Sequence, residues 1–328
     1  MACSASMCFY LLLALLGPLH RPATTPAPAP QPHRLEATPA FTLPFKLVGG
    51  LVVLRDLRCN GQRGDFILDT GSSAPLVVDS GPFAQQLSTT QPPQIARGQT
   101  GRVVVQALAV REFALGPARF TGFAAQAFAL DHLRRYTGGP LLGFIGYGLL
   151  QHFEVVLDYA QRRVSFYSLR VPHPARRPFT RRDSVAFTLV PGRGFPVAAG
   201  FIGQAPVRWL LDTGAADNQL DTTFCRTLPL PDRPQPGAAE PSTGADGHRQ
   251  LVRRSMLREA VVGETSWQGM PVQLAAFARP ANGQPLPYQG VLGFPYLSQD
   301  KLVSFHYGRQ QFYALVPTRT TAPAAGVR

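Results

Sequence analysis

Two stretches of this chain are near copies. Phe66-Ile67-Leu68-Asp69-Thr70-Gly71-Ser72 recurs 143 residues later as Trp209-Leu210-Leu211-Asp212-Thr213-Gly214-Ala215. A lone Asp-Thr-Gly is weak, since average composition yields roughly 0.1 occurrences by chance in a chain this long. Two copies behind matching apolar runs are a different matter. Upstream, Leu57-Arg58-Cys59-Asn60-Gly61-Gln62 reads as a strand entering an Asn-Gly hairpin turn, and Ala199-Gly200-Phe201-Ile202-Gly203-Gln204 takes the equivalent place. Each Asp therefore ends the second strand of a hairpin. Downstream, Leu141-Leu142-Gly143-Phe144-Ile145-Gly146 answers Val291-Leu292-Gly293-Phe294-Pro295-Tyr296, and Val156-Leu157-Asp158-Tyr159 before Val164-Ser165-Phe166 answers Val303-Ser304-Phe305 before Gln311-Phe312-Tyr313. A third pair, Gly98-Gln99-Thr100-Gly101 and Gly244-Ala245-Asp246-Gly247, falls between. Order is kept and only loops have grown, so the chain is a duplicated β unit.

At 328 residues the chain is comfortable for two lobes of about 130 residues, each able to bury its own core. Its 45% hydrophobic content is rich in Val, Leu and Phe, and 31 Gly and 32 Pro cut it into short segments, which is an all-β pattern. Short helices are expected only at 82–87, 128–135 and 222–228.

These motifs resemble the aspartic peptidase superfamily, with a pepsin-like bilobal arrangement of two retropepsin-like lobes, over about residues 41–316. The resemblance implies an all-β fold of two pseudo-symmetric acid-protease β-barrel lobes with few short helices. It also implies that Thr70 and Thr213 reach across the pseudo-dyad to the opposite loop. The later apolar-apolar-Gly segments would pack beside the catalytic loops. One departure is clear: residues 92–122, where the family's flap hairpin falls, contain no Tyr. Gly98, Thr100, Gly101, Gly244 and Gly247 are the flap candidates, with ordinary hairpin tips as the alternative.

Carboxylates at the ends of two hairpins, facing each other across a lobe boundary, cannot both ionise at hydrogen-bonding distance, so Asp69 and Asp212 would hold one proton between them. The ionised member can take a proton from a water while the protonated member donates to a scissile carbonyl oxygen, giving a gem-diol without an acyl-enzyme. Gly71 and Gly214 permit the tight turn after each strand. Ser72 is expected to donate to the outer oxygen of Asp69, which Ala215 cannot do for Asp212. Asp217 and Asp221, just beyond the second motif, read as a capped turn and surface charge.

The formal net charge of +13 comes almost wholly from arginine, because Lys46 and Lys301 are the only lysines. The scatter of arginines fits a solvated surface and argues against a nucleic-acid partner. The densest run, Arg176-Arg177-Pro178-Phe179-Thr180-Arg181-Arg182, falls in the expected interlobe linker. Residues 1–20 read as an export signal, although no Lys or Arg precedes the apolar run, and 21–40 as a Pro/Ala-rich disordered stalk. The lobes are expected at 41–170 and 185–316, joined by a linker at 171–184 and followed by a disordered tail at 317–328. Cys59 and Cys225, one per half, are expected as buried free thiols, with an interlobe disulfide as the alternative. No spacing of His or Cys matches a metal site, and neither metal nor cofactor is expected.

The expected function is an exported, monomeric aspartic endopeptidase acting on an extended peptide or protein substrate, with tethering near the cell envelope left open. A cell-envelope protein that binds peptides on the same fold without cutting them is the alternative, motivated by the missing flap Tyr and by Ala215. A proteolytically matured regulator is a weaker third reading, motivated by the Arg-rich linker.

Overall fold

A computed structural model describes residues 8–10, 13–14, 34–35, 40–98, 100–170, 178–279 and 285–318. The expected export signal and stalk lie largely outside these residues, as do Gln99, residues 171–177 of the expected linker and residues 319–328 of the expected tail. Strands dominate, with only short helices such as Asp131–Thr137 and Thr222–Cys225 between them. Among the described residues no helix is long and apolar enough to cross a membrane.

The duplication predicted from the motifs is visible strand by strand. In the first lobe, Leu51–Cys59 and Gln62–Leu68 form a hairpin whose turn is Asn60–Gly61, both at positive φ (46° and 85°) as an Asn-Gly turn requires. Its counterpart is Pro196–Ile202 with Ala205–Leu211, turning at Gly203–Gln204. The turns set the equivalence at a constant 143 residues, so Gly200–Ala205 matches Leu57–Gln62. That is one residue later than the shared Gly-Gln suggests in sequence, because the two lobes carry glycine at different positions of the same two-residue turn.

Leu141–Ile145 then inserts parallel to Gln62–Leu68 and antiparallel to Leu76–Asp79. Gly290–Leu292 inserts in the same way between Ala205–Leu211 and Gln219–Asp221. Each inserted strand is buried on every residue, which explains the unbroken apolar runs Leu-Leu-Gly-Phe-Ile and Gly-Val-Leu. The insertion fixes where each Asp-bearing strand must end.

A six-stranded antiparallel sheet joins the lobes. Its order is Ala40–Val48, Arg163–Ser168, Phe153–Asp158, Leu302–His306, Gln311–Pro317 and Phe179–Leu189. The outer strands continue into the lobes, Phe45–Val48 pairing with Leu51–Leu54 and Phe187–Leu189 with Pro196–Ala198. Residues 179–184 of the expected linker are therefore strand. There Arg181 stacks 4.1 Å over the Tyr313 ring, and Arg182 pairs with Asp183 and Asp300, each at 2.5 Å.

Two crossed aromatic contacts clamp this junction. Tyr159 of the first half meets Phe294 of the second edge-on at 5.7 Å, and Tyr307 of the second meets Tyr147 of the first edge-on at 5.5 Å. Cys59 and Cys225 are both free and buried, and burial pushes each thiol up to about 12.

Two hairpins extend from the lobes. Gln94–Gly98 pairs with Arg102–Val110, and Ala239–Gly244 with Arg249–Val262. Their outer edges also take up short strands from the start of the chain. Leu13–Ala14 pairs antiparallel with Gln94–Gly98, and Cys8–Tyr10 parallel with Ala239–Gly244. Arg34–Leu35, in the expected stalk, pairs with Ala118–Thr121, since an open sheet edge captures extended chain.

Candidate active site

Each acidic residue leaves its strand at the same point. The Asp69 N–H donates to the Ile145 carbonyl at 2.9 Å, and the Asp212 N–H to the Leu292 carbonyl at 3.0 Å. The loop then turns back on the carboxylate, so that Gly71 N–H donates to Asp69 Oδ1 at 2.9 Å and Gly214 N–H to Asp212 Oδ1 at 2.7 Å.

Four hydrogen bonds weld the two loops together. Thr70 Oγ1 donates to the Leu211 carbonyl and Thr213 Oγ1 to the Leu68 carbonyl, both at 2.8 Å. In return each hydroxyl accepts the other threonine's backbone N–H, at 3.1 Å for Thr70 N–H and 3.0 Å for Thr213 N–H. The crossing expected of Thr70 and Thr213 is thus reciprocal and buried. It brings the carboxylates together: a Cβ on Gly71 would lie 2.5 Å from both Cγ and Oδ2 of Asp212. Glycine is required there by the approach of the other lobe's acid, beyond any need of its own turn.

Asp69 and Asp212 are both 1% exposed. Burial holds the Asp69 carboxyl well above the ordinary carboxylate range, and the facing charge of Asp212 raises it further. Asp212 is raised as well, by burial first, with the Gly214 N–H pulling the other way. Oδ2 of each is buried, and a hydrogen bond between the two carboxyls raises Asp69 while it lowers Asp212. Such a pair titrates as a unit, retaining one proton to higher pH than an isolated aspartate would.

Ser72 does not play the part expected of it. Its Oγ is buried without a hydrogen-bond partner, and backbone N–H groups, that of Gly71 first and that of Ser72 after it, favour ionised Asp69. The reason is local: the Ser72 carbonyl accepts Tyr147 N–H at 2.8 Å, while a Cβ on Gly146 would sit 3.0 Å from Ser72 Cβ, so the segment is packed from behind. Ala215 makes the matching bond with Phe294 N–H at 2.9 Å. Positions 72 and 215 thus serve through their backbones, and Ser against Ala matters less than the sequence suggests. The apolar-apolar-Gly segments do pack beside the loops.

The flap candidates occupy the tips of the two extending hairpins. Gly98 N–H bonds to the Gly101 carbonyl at 2.9 Å, Gly244 N–H to the His248 carbonyl at 2.9 Å, and Gly247 turns the second tip at φ 78°. The tips touch through Thr100 and Asp246.

Asp221 is buried, against its expected place at the surface. It caps Thr222–Cys225 by accepting Phe224 N–H, but it is 2% exposed and ion-paired with Arg279, so it is no surface charge. Asp79, equally buried, pairs with Arg134 at the corresponding strand end. Sequence reasoning missed this duplicated pair, although the two acids stand 142 residues apart and the two arginines 145, close to the main repeat. Asp217 accepts from Gln273 at 3.3 Å. Tyr288 and Tyr307, also missed, are buried within electrostatic range of the carboxylates; burial chiefly raises both phenols. Among the described residues no three His, Cys, Asp or Glu side chains cluster to hold a metal.

The sequence model of a family described as aspartyl protease matches residues 56–146 and 197–296, one segment in each half and each containing its Asp-Thr-Gly. The chain belongs to the aspartyl protease family. No curated protein matches it. Among solved structures it is similar to basic 7S globulin from soybean, with 13% identity over 84% of this chain and 94% of that one, at a TM-score of 0.41. That likeness is too distant to bear on function. Within the aspartyl protease family the two matched segments are the halves that the threonine bonds join.

Proposed function

We propose that this aspartyl protease family member is an active endopeptidase in which Asp69 and Asp212 together activate a water against a peptide carbonyl. The observation that carries the reading is the reciprocal bonding of Thr70 and Thr213, which sets two buried carboxyls against each other with elevated proton affinity. One carboxyl accepts a proton from the attacking water while the other donates to the carbonyl oxygen, and the resulting gem-diol breaks with transfer of a proton to the leaving amine. Thr70, Thr213, Gly71 and Gly214 align the acids. Both acids come from one chain, so a monomer suffices.

An extended peptide is the substrate form that fits. The two hairpin edges already accept extended segments, Leu13–Ala14 on one and Cys8–Tyr10 on the other, which is β-strand addition. Export through the apolar N-terminal run is part of the same proposal.

A second reading, peptide capture without cleavage, draws on the absence of Tyr from the Gln94–Val110 hairpin. Digestion of a peptide library read by mass spectrometry separates the two. New termini produced by the native chain and not by Asp69→Asn support the peptidase; saturable binding with no new termini supports capture.

A further inference from the structure

The turn leading into the second lobe is longer than its first-lobe copy and carries an arginine. Residues 190–195 join Phe179–Leu189 to Pro196–Ile202, whereas Gly49 and Gly50 alone join Ala40–Val48 to Leu51–Cys59. The longer turn is closed by its own backbone. Val190 N–H donates to the Phe195 carbonyl at 3.0 Å, and the N–H groups of Arg193 and Gly194 donate to the Val190 carbonyl at 3.0 and 2.9 Å. Gly192 and Gly194, at φ 69° and 68°, let the chain double back on either side of Arg193.

This turn is seated against both acid-bearing loops. A Cβ on Gly194 would fall 2.0 Å from Tyr147 Cδ1, and Tyr147 N–H is bonded to the carbonyl of Ser72, just past Gly71. Phe195 is fully buried in an apolar cluster with Tyr288 and with Ala215, just past Gly214. Arg193 directly precedes these two anchors and is half-buried. The first-lobe turn is seated in the same way, a Cβ on Gly50 meeting Phe294 at 3.1 Å and Ala216 at 3.2 Å, but its two glycines bring no charge. The Tyr288 phenol, raised chiefly by its burial, also feels Asp212, Arg193 and Asp221, so three charges converge on that ring. Asp221 is paired with Arg279, and Asp212 shares a proton with Asp69. Among the described residues no carboxylate is ion-paired with Arg193. A guanidinium so placed suits a carboxylate that meets it through two parallel N–H···O bonds.

We propose that Arg193 is a specificity-determining residue, which binds an Asp or Glu side chain of the peptide at one fixed position beside the scissile bond. Such a subsite rests on the peptide-binding cleft proposed above. The first-lobe turn has no matching charge, so the preference is one-sided and fixes which way a peptide runs across two otherwise pseudo-symmetric lobes. A bidentate, charge-assisted contact should favour an acidic peptide over its amide counterpart about ten-fold.

The test uses the full chain and a pool of unstructured, N-acetylated and C-amidated synthetic peptides randomised at every position, so that side chains supply the only carboxylates. Cleavage by the native chain, read by mass spectrometry, should show Asp and Glu enriched about ten-fold at a single position relative to the new termini. Arg193→Met should abolish that enrichment, Arg193→Lys should keep most of it, and Arg193→Glu should replace it with Arg and Lys. Arg111→Met removes the same charge from an exposed connection between Arg102–Val110 and Phe113–Leu115, and should leave the enrichment as it is. Binding is scored separately, by capture of the same pool on the chain carrying Asp69→Asn. Acidic peptides should be retained about ten-fold over their amide counterparts, and adding Arg193→Met should erase the difference. Acid-enriched capture without new termini would sink the peptidase reading and keep the subsite, whereas new termini with no acidic position would do the reverse. The subsite is also overturned if the enrichment survives Arg193→Met, if Arg111→Met erases it equally, or if the pool is neither cut nor held.

Discussion

Thr70 and Thr213 are each other's donor and acceptor across the lobe boundary, each hydroxyl taking the other's backbone N–H while giving its own proton to the chain just before the opposite Asp. Neither lobe can complete its Asp-Thr-Gly loop alone. The geometry of the two acids is thereby tied to the docking of the two halves.

Thr70→Val keeps the shape but strands two buried groups, the Thr213 N–H and the Leu211 carbonyl. Each unsatisfied group costs about 1–3 kcal/mol, so the variant should lose about 2–6 kcal/mol of stability in urea unfolding. Thr70→Ser keeps both bonds and should lose under about 1 kcal/mol.

Gly71→Ala places a methyl 2.5 Å from the Asp212 carboxyl. The acids are then forced out of register, and proteolysis should fall at least about a hundred-fold while the circular dichroism spectrum stays native. A variant with native turnover would show that the carboxyls need not approach so closely.

The raised proton affinity of the dyad has a definite sign for stability. A carboxyl whose folded pKa lies above its unfolded value binds more protons in the folded chain between the two, so stability falls as pH rises through that window. Below about pH 4 both states are protonated and the effect is constant. Asp212→Asn should therefore be more stable than the native chain at pH 7, by on the order of 1–3 kcal/mol, with the difference closing towards about pH 4. Chemical unfolding across that range checks it. The falling limb of the native pH–rate profile should lie above the ordinary carboxylate range.

Arg279→Met leaves Asp221 buried without its cation. The destabilisation should be about 2–4 kcal/mol, below the limit for a wholly buried pair because the Arg279 side chain is 44% exposed. Asp221→Asn in the same background should restore part of it, measured by thermal unfolding.

The parts of this molecule legible in its sequence are those written in local pattern and repetition. Asp69 and Asp212 stood out because two copies of one motif are improbable by chance, and the Asn60–Gly61 turn because its backbone demands those residues. The six-stranded interlobe sheet was not legible, since the pairing of Phe153–Asp158 with Leu302–His306 spans about half the chain and has no local signature. Asp221 was misplaced at the surface because a helix-capping acid looks the same in sequence whether buried or exposed. The unbonded Ser72 hydroxyl shows the converse, in that the residue type permits a bond and the packing behind it decides. For the hairpin tips the glycines were readable, but their contact across the lobes depends on three-dimensional docking.

The most direct test compares cleavage of an unfolded protein by the native chain, Asp69→Asn, Asp212→Asn and the double variant. If the two acids share one proton and one water, both single variants drop to the same background and the double falls no further, since groups acting as a unit are not additive. Turnover by either single variant within ten-fold of the native rate would contradict the shared dyad.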